Sequence, residues 1–211
     1  MNTKIKIIFF VVFFILVAAG AGFYFWQDYL EIGSSKIEEI KETVANLETG
    51  SPNDQNVNNN SGIELLNKLT QNIPKGTAPE IISQIQELSR TLKDNNDYLQ
   101  GWLQLGILRK NIGDLEGAAE TWQYATIIRP ESSTAYLNLG DLYGYYLRDN
   151  QKAEEYLLRG IKAEPSNVYT YYKTYEFYTD TNQSQKARQI LEQGIAANPQ
   201  TSESLKTLLI K

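Results

Sequence analysis

The 211-residue chain has no cysteine and no histidine, and its single methionine is Met1. The first absence excludes disulfides, thiolate zinc sites, cysteine nucleophiles and a lipidated cysteine. The second removes the usual general base and the usual imidazole metal ligand. Catalysis would have to run on carboxylate, lysine, serine or tyrosine. No nucleophile stands beside a partnered base, no glycine loop is shaped for phosphate, and no carboxylates have metal-ligand spacing. Glu38-Glu39 and Glu154-Glu155 are adjacent pairs, which point in different directions on a helix. The expectation is a protein that is not an enzyme and holds neither cofactor nor metal. Positive charge is also short, 20 Lys and Arg against 25 Asp and Glu, for a net charge of −5. Lys4 and Lys6 precede every acidic residue, so the rest of the chain is more acidic still. That balance argues against nucleic acid and against a peripheral contact with anionic headgroups.

What is present begins with an apolar run. From Ile5 to Trp26 only Lys6 is charged. As a helix this segment spans about 30 Å, the thickness of a bilayer core. Lys4 and Lys6 lie before it, and Asp28 and Glu31 after it. Residues 1–30 therefore predict a transmembrane anchor in the cytoplasmic membrane, crossing the bilayer through 5–26. The N-terminus would be cytoplasmic and the remainder extracytoplasmic. Ala19-Gly20-Ala21 has the form of a signal-peptidase site, the alternative. Phe23 to Trp26 extend the run beyond the usual h-region of such a signal.

Residues 31–49 read as a stalk helix with Ile37, Ile40, Val44 and Leu47 at 3-4 spacing. Self-association through 34–49 is the option this seam offers. Residues 50–62 hold Val57 as their one apolar side chain and are rich in Asn and Gly, which predicts a flexible tether. Residues 63–98 predict degenerate capping helices. Thr77-Ala78-Pro79-Glu80 has the pattern of a capping box, followed by the stripe Ile81, Ile82, Ile85, Leu88 and Leu92.

The rest of the chain is periodic. Trp102-Leu103-Gln104-Leu105-Gly106 returns as Tyr136-Leu137-Asn138-Leu139-Gly140 after 34 residues, and Tyr171 stands 35 further on. Ala118, Ala153 and Ala187, like Pro130, Pro165 and Pro199, step by 35 and then 34. One extra residue must lie between Tyr143 and Ala153, and the turn Leu147-Arg148-Asp149-Asn150 is its expected place. Large residues at 102, 136 and 171 and small ones at 106, 140, 118, 153 and 187 describe paired helices in close contact. Gly113 suits a left-handed turn residue and Asp114 a helix cap. The prolines end the second helices, and Ser132, Ser166 and Thr201 are placed to cap the next helix in each case.

Trp102, Leu105, Gly106, Ala118, Trp122, Ala125 and Pro130, with their counterparts over 133–167 and 168–201, resemble the tetratricopeptide repeat family. Tyr175 departs from the pattern, standing where glycine is usual. The resemblance implies an all-α fold: a right-handed helix-turn-helix solenoid, preceded here by the single transmembrane helix and the linker. It places three repeats over 99–201 and a solvating cap helix over 202–211. It also implies a concave groove lined by the first helices. Repeat one would contribute Gln100, Leu103, Ile107 and Asn111. Repeat two would contribute Thr134, Leu137, Asn138, Asp141 and Tyr145, and repeat three Tyr169, Tyr172, Lys173 and Glu176. The family's carboxylate clamp is matched at Asn138 and Lys173, but Leu103 and Ile107 stand where it needs lysine and asparagine. The layout, and the stretch from Asn96 to Gly106, are also similar to apocytochrome chaperones of cytochrome c biogenesis. The expected function is a membrane-tethered scaffold, an adaptor or assembly chaperone, that binds a protein or peptide client in the groove. The alternative is a permanent structural subunit of a cell-envelope assembly or secretion complex.

Overall fold

The computed structural model describes the backbone of residues 55–209 and the side chains of 61–209. The anchor, the stalk and the start of the tether lie outside the described residues. Among those described, every regular element is helical, and no helix is long and apolar enough to cross a membrane.

The helices form a solenoid of antiparallel pairs. An N-terminal pair, α1 (Gln55–Gln71) and α2 (Pro79–Asp94), precedes three more. These are α3 (Leu99–Asn111) with α4 (Leu115–Ile128), α5 (Ser133–Asp141) with α6 (Asn150–Ala163), and α7 (Val168–Asp180) with α8 (Ser184–Ala197). Helix α9 (Glu203–Leu209) closes the array and buries Leu205.

In the first two repeats the pair is held by a large side chain facing a glycine. Trp102 is fully buried, and its indole nitrogen donates to the Asn96 carbonyl at 2.7 Å. Trp122 fills the space left by Gly106, where an added Cβ would lie 2.2 Å from its Nε1. That nitrogen donates to the Leu103 carbonyl at 3.1 Å, so the indole is fixed in position as well as buried. In the next pair Leu157 takes the place of Trp122, and a Cβ on Gly140 would lie 2.7 Å from it. In the third pair Tyr175 occupies the glycine's position and is half-buried against the core. Apolar contact of this density supplies most of the stability of a stacked array.

The turns show where the extra residue goes. In the first repeat Asp114 N–H bonds to the Arg109 carbonyl, and in the third Gln183 N–H bonds to the Tyr178 carbonyl. The residue before each donor is left-handed, Gly113 at φ 80° and Asn182 at φ 59°. The second repeat closes the same way, but from Asp149 N–H to the Tyr143 carbonyl at 2.8 Å, one residue wider. Arg148 holds the left-handed position there, at φ 58°. The surplus is absorbed upstream, as a π-turn over Leu142–Tyr146 closed by Leu147 N–H to the Leu142 carbonyl. The extra residue thus widens the end of the first helix instead of lengthening the 147–150 loop. Widening keeps the backbone hydrogen-bonded, whereas a longer loop would expose those groups.

Three other expectations change. The tether stretch 50–62 is helical from Gln55 onward. Asn and Gln are only mediocre helix formers, and Leu66 and Leu69, buried in the core, secure the helix they begin. The capping box does not form: Ala78 is the N-cap of α2, and the Thr77 hydroxyl donates to the Pro74 carbonyl at 2.8 Å. Ser132 makes no side-chain cap, and α7 is capped by Asn167, one residue after Ser166. Asp114 does cap α4, accepting from Gly117 N–H at 3.0 Å.

Arg109 is fully buried, which no sequence pattern announces. Its guanidinium donates to the Leu69 carbonyl, to the Asn72 carbonyl at 3.4 Å and to Asp114. Leu69 and Asn72 lie at the C-terminal end of α1, where carbonyls lack helical partners and a cation is favoured. One side chain thereby staples α1 to the first repeat.

Candidate functional site

The first helices α5 and α7 are in contact, and six of the ten candidate groove residues meet on α7, the C-terminal end of α5 and the π-turn that follows it. Lys173 stands one turn into α7. Its Nζ lies 3.4 Å from Asp141 on α5 and 3.1 Å from Glu176 on its own helix. The Tyr172 hydroxyl donates to Glu176 at 2.6 Å, and the Tyr169 ring stacks on Tyr172 with centroids 6.1 Å apart. The π-turn brings in Tyr145, whose hydroxyl donates to Asp180 at 2.8 Å and whose ring centroid lies 5.8 Å from Lys173 Nζ.

The charges on this face are coupled. Burial raises the Asp141 carboxyl above its ordinary range, against the pull of Lys173. Burial works to lower Lys173, but Asp141 and Glu176 outweigh it and hold the ammonium firmly protonated. Burial, aided by the bond to Asp180, pushes the Tyr145 phenol up to about 12. Lys173 is therefore a cation at neutral pH, and Tyr145 and Tyr172 are hydrogen-bond donors, not phenolates. None of these groups is poised as a nucleophile or a proton shuttle. Among the described residues no group of three or more carboxylates is placed to hold a metal ion.

The remaining candidates divide. Leu103 is 5 % exposed and belongs to the core, so it does not line an open surface as expected. Its apolar side chain joins the cluster around Trp102, a register in which lysine would be costly. Ile107, 44 % exposed, and Asn111, also exposed, stand on α3 outside the hydrogen-bonded cluster. Asn138 is half-buried on α5, three residues before Asp141. The clamp-like pair Asn138 and Lys173 does not make a carboxylate clamp, because Lys173 already bonds two carboxylates of the protein itself.

Sequence reasoning missed four contributors. Tyr146 and Leu147, 52 % and 40 % exposed, continue the apolar edge that Tyr145 begins. Lys110 of α3 places its Nζ 5.1 Å from the centroid of the Tyr146 ring. Asp180 anchors Tyr145 from the last position of α7. The signal available for Tyr146 and Leu147 was the extra residue of the second repeat, which falls between Tyr143 and Ala153.

Residues 133–167, covering α5, the π-turn and α6, match the tetratricopeptide repeat family. No curated protein matches the chain. Among solved structures, one crystal structure of MamA is 23 % identical with a TM-score of 0.44, over 58 % of this chain and 77 % of that one. A second MamA crystal structure is 21 % identical with a TM-score of 0.46, over 72 % and 85 % of the two chains. The MamA RS-1 ArsTM double mutant is 19 % identical with a TM-score of 0.44, over 65 % and 76 %.

Proposed function

We propose that this protein is a docking scaffold that holds a segment of a client protein against the face built by α3, α5 and α7. The observation that carries this reading is the cluster of Asp141, Tyr145, Tyr169, Tyr172, Lys173 and Glu176. It combines exposed rings with oriented charged groups on consecutive first helices, and contains no arrangement for bond-making chemistry. Rigid aromatic side chains with fixed polar neighbours are what protein interfaces concentrate at their centres. The tetratricopeptide repeat over 133–167 fits a partner-binding role. The apolar run 5–26 supports a membrane tether, with the repeats on the extracytoplasmic side and the client held close to the bilayer.

The test is photo-crosslinking in the native host from positions 145, 169 and 172, against exposed Gln189 of α8. One discrete partner captured from the first-helix face and absent from position 189 supports the scaffold. Equal capture from both faces removes it. The tether has its own test, since the chain has no native cysteine. A single cysteine at position 189 should react with a membrane-impermeant maleimide in intact cells, and reaction only after lysis would overturn the orientation.

A further inference from the structure

The charged groups of the docking face lie at different depths. The Lys173 side chain is 15 % exposed, while those of Asp141 and Glu176, which it bonds, are 41 % and 34 % exposed. Asp180 is exposed as well. The ammonium lies beneath, spent on two carboxylates, and the carboxylate oxygens lie above it. The other lysine of this face, Lys110, rests against the Tyr146 ring. An approaching chain meets oxygen and aromatic rings first.

We propose that the client segment is cationic, directing arginine or lysine side chains at Asp141, Glu176 and Asp180 while their stems lie on Tyr145, Tyr169 and Tyr172. The proposal rests on the docking reading above and specifies the partner's chemistry. Tyr169 is 58 % exposed and stacked on Tyr172, a ring surface open to a guanidinium plane. The Tyr145 hydroxyl holds Asp180 in a fixed orientation, so part of the ordering needed to receive a cation is already in place. An acidic segment is disfavoured by the same geometry. Its carboxylate could reach Lys173 only by displacing Asp141 or Glu176, and would then sit against the one that remained.

The experiment uses the full-length protein in non-ionic detergent and three fluorescein-labelled peptides. The peptides share one leucine- and serine-based frame and differ at two positions, carrying arginine, alanine or glutamate. Fluorescence anisotropy is read at low and high salt. The arginine peptide should bind roughly tenfold tighter than the alanine peptide, with the glutamate peptide weakest, and the advantage should shrink with salt. Asp141→Asn and Glu176→Gln should each weaken the arginine peptide about threefold to fivefold and leave the alanine peptide unchanged. Glu131→Gln, an exposed carboxylate outside the cluster, should change neither. Lys173→Met, its helicity checked by circular dichroism, should raise the preference for arginine, and the two carboxylate variants carry the test if it unfolds. A preference for glutamate, three equal affinities, or no binding by any peptide overturns the cationic assignment. None of these outcomes touches the docking reading, which stands or falls with the crosslinking.

Discussion

Gly106 and Arg148 are opposite cases of one steric argument. A methyl group at 106 has no room, because its Cβ would lie 2.2 Å from Trp122 Nε1. Gly106→Ala should push the indole out of its bond to Leu103 and cost about 2–3 kcal/mol. In a urea titration the midpoint should fall with an unchanged slope, and an unchanged midpoint would show that the pair has slack. Arg148 has the reverse problem, holding a left-handed backbone at φ 58° that an unbranched side chain adopts at a cost of about 1 kcal/mol. Arg148→Gly should stabilise the protein by about 0.5–1 kcal/mol. Asn182→Gly at φ 59° should gain less, since asparagine tolerates this conformation. Arg109→Met is expected to cost about 3 kcal/mol, because it strands Asp114 and the carbonyls of Leu69 and Asn72.

At the scale of the element, the π-turn over Leu142–Tyr146 makes a one-residue surplus into an exposed aromatic edge. Deleting Leu147 should return the second repeat to the spacing of its neighbours and leave helix content unchanged. Tyr145 would then rotate away from Asp180. A double-mutant cycle with Tyr145→Phe and Asp180→Asn should give a coupling of about 1 kcal/mol in the parent and near zero in the deletion. Equal couplings in both backgrounds would separate the π-turn from the placement of Tyr145. Here the limits of the primary structure are plain. Two series of residues stepping out of phase located the surplus between Tyr143 and Ala153, because core spacing is rigid. They could not say whether it would lengthen a loop or widen a helix, since that depends on which backbone groups stay bonded. The start of helix α1 was hidden for a related reason. Its asparagines read as a tether, and the contacts that secure it, such as Arg109 to the Leu69 carbonyl, join residues far apart in sequence. Within the docking cluster, the register of the first helices pointed to Asp141, Lys173 and Glu176, but burial of Leu103 depends on neighbours that the repeat pattern does not describe.

Over the whole molecule, the carboxylates set the response to acid. Hydrogen bonds from Ser133, with burial opposing and Asn167 assisting, hold Glu164 below the ordinary carboxylate range. Burial works to raise Glu154, yet Lys186 and Tyr178 lower it overall. A depressed carboxyl contributes stability that is complete above its unfolded pKa, about 4.3, and lost as pH falls through its folded value. Asp141 has the opposite sign: its pKa is raised, so protonation on the way down relieves a penalty. Between about pH 5 and pH 3 stability should decline with acid. Glu164→Gln should flatten that decline, and Asp141→Asn should steepen it. Thermal melts across this range check both signs.

The positions of the tryptophans give the molecule a built-in optical partition. Trp102 and Trp122 both lie in the first repeat, whereas the ten tyrosines from Tyr136 to Tyr178 belong to the second and third. A stacked array couples neighbours and is free to open from its ends. In a Trp26→Phe variant, indole emission excited at long wavelength therefore reports the N-terminal part of the array, and phenol absorbance is weighted toward the C-terminal part. Two superimposable denaturation curves would mean that the array is a single cooperative body. Curves that separate would mean that the second and third repeats loosen while the first repeat remains intact.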